Sequence, residues 1–452
     1  MENLLRGMEN YKKYFKNKRI IIMGLGLLGR GIGVAKFLAK YGANLLITDL
    51  KTEEQLASSL KQLKKFKNIK YILGQHRLED FYQADMLIKA ANVPLDSIFL
   101  AEARKNNIPI EMDASLFAKF TNVKIIGITG TRGKSTVTKL IYEGLKKYYK
   151  KGNVWLGGNV RGLATLPLLE KVKDNDIIIL ELDSWQLQGF GEAKISPHIA
   201  VFTTFMNDHM NYYKNDMQQY FDDKTEIFKY QTKNDFLVIG EQAMLEIKKR
   251  FPYNKIQSKI TVVNEDKIRN LKTKLIGEHN KTNIALAVEV FRIMKLNQTQ
   301  IKQTIKNFKP EPGRLEMIFK KNGITYYNDN NATTPDATIA ALNSLYKNKK
   351  NIILICGGAD KELKFNDMIR VIANTVKNII FFKGTATDKI LSSLSNNFPE
   401  HVVVDSMKSA VQEARKFAKK GDIILLSPGA ASFGVFKNEY DRSDQFIKYV
   451  KK

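Results

Sequence analysis

The stretch Ile126-Gly127-Ile128-Thr129-Gly130-Thr131-Arg132-Gly133-Lys134-Ser135-Thr136 decides how this chain is read. A β-branched run, Lys124–Thr129, leads into a glycine loop ending in Gly-Lys-Ser, and a helical pattern opens at about Lys134. Backbone N–H groups of such a loop cradle phosphates. The lysine meets the terminal phosphates, and the adjacent hydroxyl can ligate Mg²⁺. Gly130, Thr131, Arg132, Gly133, Lys134, Ser135 and Thr136 are therefore expected to bind ATP. Counted from Gly127, the spacing is one residue longer than the usual P-loop pattern.

A second glycine loop lies upstream. Strand-like Arg19–Met23 runs into Gly24-Leu25-Gly26-Leu27-Leu28-Gly29, an amphipathic stretch continues to about Lys40, and Asp49 ends the next strand-like run, Leu45–Thr48. This is the dinucleotide fingerprint in its proper context. By itself it suits an NAD-dependent oxidoreductase, another nucleotide or diphosphate site, or a structural turn.

The same alternation of short apolar runs and helical patterns continues downstream, which argues for parallel sheets with crossover helices. Strand-like runs fall at Ile177–Leu182, Ile199–Thr203, Phe236–Ile239, Ile324–Asn328, Ile352–Cys356, Ile379–Phe382, Val402–Val404 and Ile423–Leu426. The expected fold is three α/β domains. These are an N-terminal Rossmann-like nucleotide-binding domain (1–112), a central P-loop domain on a parallel sheet (113–309) and a C-terminal Rossmann-like domain (310–452). The second boundary rests on Lys309-Pro310-Glu311-Pro312-Gly313, where two prolines and a glycine stop a helix.

Composition narrows the class. The 452 residues suit several domains, and 44% hydrophobic content excludes global disorder. The single cysteine excludes an intramolecular disulfide framework. No run approaches the roughly eighteen apolar residues of a membrane span, and the first residues lack a signal-peptide pattern. A cytoplasmic protein with no membrane partner is expected. The net charge of +27 is carried mostly by lysines spread along the chain. It assigns no function, and no specific nucleic-acid partner is expected.

Ordered motifs bring a resemblance. Thr129–Thr136 resembles the phosphate loop of the Mur ligase family, the ATP-dependent amino-acid ligases of peptidoglycan precursor synthesis, with Arg132 where asparagine is usual. Glu181-Leu-Asp-Ser-Trp-Gln-Leu187 and Asp208-His209-Met210 are similar to segments of its D-glutamate-adding branch. So are Gly277-Glu-His-Asn280-Lys-Thr-Asn283, Gly313-Arg314-Leu-Glu316, Asn328-Asp329-Asn-Asn-Ala-Thr333 and Gly357-Gly-Ala-Asp-Lys361. Ser427-Pro-Gly-Ala-Ala-Ser432, followed by Phe436-Lys-Asn438 and Arg442, resembles the last family segment.

The resemblance implies an ATP-dependent ligase joining D-glutamate to UDP-N-acetylmuramoyl-L-alanine through an acyl phosphate. It implies that Lys134, Glu181, His209 and Lys224 are catalytic. Ser135 and Glu181 would hold the Mg²⁺ on ATP, and Glu181 and His209 a second ion. Lys224, fifteen residues after His209, would carry a CO₂-derived carbamate that helps hold that second ion. Asn280, Arg314 and Asp329 would contact ATP. Gly26, Leu27, Asp49 and Lys51 would hold the uridine diphosphate, and Asn159, in Gly157-Gly-Asn159-Val-Arg-Gly162, would touch the UDP-sugar. Thr333, Lys361 and Ser432 would bind the D-glutamate carboxylates. On this reading the first glycine loop holds UDP rather than NAD.

Some positions depart from the family pattern. Thr204 stands where asparagine is usual, Asp183 puts an extra carboxylate beside the metal cluster, and Asn331 replaces a lysine. Arg132 is a candidate to supply the charge lost at Asn331. These changes bear on amino-acid specificity more than on the ligase reaction. Another ligase of the superfamily is the nearest alternative. An NAD-dependent oxidoreductase leaves the P-loop unexplained, and a nucleic-acid-binding ATPase lacks the expected helicase-type acidic motif. No coiled-coil heptad or long exposed apolar stripe is evident, so a monomer is expected.

Overall fold

The computed structural model describes residues 10–27, 29–160, 162–210, 212–268, 271–394 and 398–452. Leu28 and the first nine residues lie outside that set. The chain is mixed α/β and divides into two compact units. One comprises Met1–Leu271 with Thr282–Ile305, and the other Lys272–Lys281 with Lys306–Lys452.

The first unit carries two sheets. Strands β1 (Arg19–Met23), β2 (Asn44–Asp49), β3 (Ile69–Leu73), β4 (Met86–Lys89) and β5 (Ile110–Glu111) lie in the order β3-β2-β1-β4-β5. All their pairings are parallel. Strands β6 (Lys124–Thr129), β7 (Val154–Gly158), β8 (Ile177–Glu181), β9 (Ile199–Phe202), β10 (Phe236–Gly240) and β11 (Lys259–Val263) form a second parallel sheet, β11-β10-β9-β6-β8-β7. Its interior strand β8 is buried at every position, which is why Ile177–Leu180 reads as an unbroken apolar run.

One apolar core runs through both sheets of this unit. Phe15 and Tyr14 pack their rings on Phe120 at 5.3 and 5.0 Å, joining the N-terminal segment to the helix Asp113–Phe120. Asp113 caps the turn Leu166–Glu170 through the amides of Thr165 and Leu166 at 2.8 and 2.7 Å. Lys89, at the end of β4, is buried and donates to Gln188 Oε1 at 3.0 Å.

The second unit carries β12 (Glu316–Lys321), β13 (Ile324–Asn328), β14 (Ile352–Gly357), β15 (Val376–Phe382), β16 (His401–Val404) and β17 (Ile423–Leu426), ordered β12-β13-β17-β14-β15-β16. Only the β12–β13 edge pairing is antiparallel. Cys356 lies in β14, fully buried between β17 and β15, and burial pushes its thiol pKa up.

In open parallel sheets, ligands bind beyond the carboxyl ends of the strands, where the strand order reverses. Those ends carry the Gly24–Gly29 loop after β1, Gly130 after β6, Glu181 closing β8, Asp329 after β13 and Ser432 after β17.

Candidate active site

The loop after β6 requires its glycines. Gly130 and Gly133 have φ of 138° and 87°, a region that L side chains rarely adopt. A Cβ on Gly130 would sit 2.0 Å from Thr203 Oγ1, and one on Gly133 2.3 Å from Asn283 Oδ1. The helix Lys134–Tyr148 starts at once, with no side-chain cap at Gly133. Its first N–H groups and the positive end of its dipole therefore suit an anion. Thr204 fastens the loop from β9. Its carbonyl accepts the Thr131 N–H at 2.7 Å and its Oγ1 accepts the Arg132 N–H at 3.0 Å.

Lys134 folds back over this loop, donating to the carbonyls of Gly130 (2.8 Å) and Thr131 (3.1 Å). Burial lowers its pKa, opposed by the carboxylates of Glu181, Asp183 and Asp208. Ser135 Oγ donates to Glu181 Oε1 at 3.1 Å. A hydroxyl and a carboxylate are the hard oxygen donors that Mg²⁺ takes, so this pair fits an ion drawing its other ligands from phosphate and water. Among the described residues, no group of three or more His, Cys, Asp or Glu side chains gathers to hold a metal.

Lys224 reaches the same loop from the helix Met217–Thr225. Its side chain is buried, its Nζ donates to Gly130 O at 3.1 Å, and it lies 4.7 Å over the Tyr220 ring. Burial first, then the positive charge of Lys134, holds its pKa well below the ordinary lysine value. His209 has φ 57°, and its ring packs at 4.7 Å against Trp185, tilted by 54°. Burial, opposed by Asp208, lowers its pKa and so favours the neutral, metal-ligating imidazole. Arg132 pairs with Asp208, Nη1 to Oδ2, at 2.8 Å. That position thus ties the phosphate loop to the Asp208-His209 segment.

Asp183 does not serve as a free carboxylate. It is the N-cap of the helix Ser184–Glu192, accepting the Gln186 N–H at 2.8 Å, while the Gln186 side chain returns to the Asp183 N–H. This is a capping box.

The UDP-sugar candidates also gather in the first unit. Asp49 spends both oxygens on backbone amides, accepting Gly26 N–H of the glycine loop at 3.0 Å and Lys51 N–H of its own loop at 2.9 Å. Leu27 and Lys51 are exposed. Asn159 is held from two sides. Its N–H donates to Glu181 O at 2.6 Å, and its Oδ1 accepts Arg30 Nη2 at 3.0 Å. Arg30 also donates to Gly158 O at 3.2 Å.

The remaining candidates, Asn280, Arg314, Asp329, Thr333, Lys361 and Ser432, belong to the second unit. Asn280 Nδ2 donates to Ile276 O at 2.7 Å, and Arg314 pairs with Glu311 at 3.3 Å. Asp329 accepts Ser427 Oγ at 2.8 Å and Leu315 N–H at 2.9 Å, and burial raises its pKa to about 7. The segment after β13, with Thr333, is stitched to the segment after β17, with Ser432, by Gly429 N–H to Ala332 O at 2.8 Å. Lys361 is exposed. Asn331 Nδ2 donates to Pro312 O at 3.3 Å, whereas Arg132, the candidate replacement for its lost charge, is engaged with Asp208 in the other unit.

Sequence reasoning missed Arg30, Lys89, Tyr220 and Asn330. Each is a residue whose role depends on what the fold places opposite it; Asn330 lies inside the Asn328–Thr333 motif but was not singled out.

A phosphate-cradling loop on a three-sheet α/β chain defines the class, and the comparisons agree. The chain matches the models of the Mur ligase MurD-like N-terminal domain over 18–111, the Mur ligase middle domain over 128–254 and the Mur ligase glutamate ligase domain over 313–429. The chain belongs to the Mur ligase family and is an ATP-dependent ligase. It is similar to the UDP-N-acetylmuramoylalanine–D-glutamate ligase of Borreliella afzelii, 37% identical over 456 residues that cover 96% of this chain and 98% of that one. The ligase of the same name from Roseiflexus sp. is 34% identical over 465 residues, covering 96% and 98%. Among solved structures, the UDP-N-acetylmuramate-alanine ligase MurC of Thermotoga maritima superposes with a TM-score of 0.60 at 18% identity, covering 96% of this chain and 99% of that one. The MurF ligase of Thermotoga maritima in complex with ADP gives 0.56 at 16%, covering 99% and 98%. These two likenesses concern the fold alone.

Proposed function

We propose that the chain joins D-glutamate to UDP-N-acetylmuramoyl-L-alanine with cleavage of ATP to ADP and phosphate, a step of peptidoglycan precursor synthesis. The names and near full-length coverage of the relatives support the substrates. The observation that carries the chemistry is Lys134 beside the Ser135–Glu181 pair at the carboxyl end of the second sheet.

The substrate carboxylate must attack the γ-phosphate of ATP, and both are anions. The Gly130–Thr136 loop and its helix N-terminus receive the phosphates, and Lys134 offsets the charge that spreads in phosphoryl transfer. Ser135 and Glu181 would hold one Mg²⁺, and Glu181, His209 and a carbamylated Lys224 a second, and bound ions would add charge neutralisation. The acyl phosphate that forms is an activated carboxyl, and the amine of D-glutamate displaces phosphate from it to leave an amide. Thr333, Lys361 and Ser432 orient the amino acid by hydroxyl donors and a point charge. Asn280, Arg314 and Asp329 receive the nucleotide. Gly26, Leu27, Asp49, Lys51 and Asn159 hold the UDP-sugar.

Lys224 suits carbamylation. Only a neutral amine attacks CO₂, and burial together with Lys134 disfavours its charged form. The resulting anion offers two oxygens where an ammonium offers none.

We read 1–112 as a Rossmann-like domain, 113–309 as a P-loop domain and 310–452 as a second Rossmann-like domain. One sheet falling inside each range supports this. No helix among the described residues is long and apolar enough to cross a membrane. A cytoplasmic monomer acting on small molecules fits this reading.

The test is phosphate release with ATP, Mg²⁺ and UDP-N-acetylmuramoyl-L-alanine, adding amino acids singly. Release is expected only with D-glutamate. Release with a different amino acid would keep the mechanism and overturn the substrate.

A further inference from the structure

The largest fully buried side chain among the described residues is a cation. Arg442, on the helix Glu439–Lys451, is 0% exposed. All three of its hydrogen bonds go to neutral amide oxygens: Nε to Asn330 Oδ1 at 2.7 Å, Nη2 to Asn330 O at 3.1 Å and Nη1 to Ala430 O at 3.3 Å. Burial lowers its pKa to about 10, opposed by the charge of the Glu439 carboxylate. A buried charge with no carboxylate among its hydrogen-bond acceptors carries a large desolvation penalty, and an apolar residue of similar volume would pack the space without it. Packing alone is therefore a poor account of a guanidinium here.

What the fork does is join two segments. Asn330 lies in the segment after β13 that continues to Thr333, and Ala430 lies in the segment after β17 that continues to Ser432. Asn330 is itself buried, and its Nδ2 donates to Glu439 O at 2.8 Å, closing a ring of bonds back to the arginine's own helix. The planar, rigid geometry of guanidinium fixes the distance between acceptors in a way a lysine cannot.

We propose that Arg442 is the positioning residue of the amino-acid pocket, setting the spacing between the segment that carries Thr333 and the segment that carries Ser432. This rests on the functional reading above, in which those two hydroxyls receive a dicarboxylic amino acid. Arg442 itself touches no substrate. Its loss is felt as a looser grip on the amino acid, not on ATP or the UDP-sugar.

The experiment compares wild type with Arg442→Lys and Asn330→Ala, measuring KM for D-glutamate, ATP and UDP-N-acetylmuramoyl-L-alanine alongside the thermal midpoint. Arg442→Lys keeps the charge and loses the fork. Asn330→Ala keeps the arginine and removes its side-chain acceptor, and it carries the test if the lysine variant does not fold. The expected result is a rise of about tenfold or more in KM for D-glutamate, with the other two within about twofold. An unchanged KM for D-glutamate, or a parallel loss for all three substrates, overturns the role. Wild type separates the two failures. Absence of D-glutamate-dependent release there overturns the functional reading, whereas release in wild type with unaltered variants overturns the positioning role alone.

Discussion

Lys134 and Lys224 donate to one acceptor, the carbonyl oxygen of Gly130, at 2.8 and 3.1 Å. Two amines on a single carbonyl cannot both hold a full charge comfortably; burial lowers the pKa of both, and holds that of the deeper one, Lys224, well below the ordinary lysine value. The arrangement gives two lysines of one site different chemistry. Substituting Lys224 by Ala is expected to lower kcat by about a hundredfold or more while ATP still binds. Nucleotide titration beside single-turnover assays checks this. Full activity would remove Lys224 from the mechanism.

Asp183 is engaged as a helix cap, so its carboxylate is replaceable by another cap. Asp183→Ser is expected to keep turnover and stability close to wild type. Asp183→Ala should cost about 1 kcal/mol of stability. Denaturant titration of both variants decides it, and a shift in Mg²⁺ dependence with Ser would contradict the capping role.

Arg30 orients the Asn159 amide. By donating to Oδ1, it leaves the amide nitrogen of Asn159 as a donor, the group proposed above to meet the UDP-sugar. Arg30→Met is expected to raise KM for the UDP-sugar about tenfold, with KM for ATP little changed. The double variant Arg30→Met/Asn159→Ala should be scarcely worse than Asn159→Ala alone, since the two act as a unit. Full additivity in the double-mutant cycle would sever the pair.

Lys89 sets a pH dependence. Burial lowers its pKa from 10.5 to about 8 in the folded chain. Between those values the unfolded chain binds more protons, so this group makes stability rise with pH from about 8 to 10.5 and contributes no slope below. The slope approaches about 1.4 kcal/mol per pH unit within that window. Denaturation midpoints measured from pH 7 to 10 should rise less steeply in Lys89→Met than in wild type. Equal slopes would show that Lys89 is not the titrating group.

The sheets were legible where strands form short apolar, β-branched or aromatic runs. Arg19–Met23, Lys124–Thr129, Ile324–Asn328 and Ile423–Leu426 appear in the structure at the limits read from the sequence. The strands that escaped notice have physical reasons for it. Ile69–Leu73, Lys259–Val263 and Glu316–Lys321 are sheet edges with exposed lysines, Val154–Gly158 is an edge that ends in two glycines, Ile110–Glu111 has two residues, and Met86–Lys89 ends in a lysine that reads as surface. In the site, the phosphate loop announced itself because phosphate binding demands glycines and a lysine at fixed spacing. Arg442 belonged to a recognised motif, yet its complete burial was invisible, because charge in a sequence signals solvent. Asp183 looked like chemistry and is a cap.

Cys356 sits at the centre of the third sheet, in a chain with no other cysteine. The protein thus contains its own single-site clock. A thiol reagent can mark the chain only during moments when the second unit opens, so the labelling rate measures how often that opening occurs. Because D-glutamate is proposed to settle on this unit, saturating amounts of it should slow the clock. A ligand-binding signal would then be read as lost reactivity at an atom that never meets the ligand.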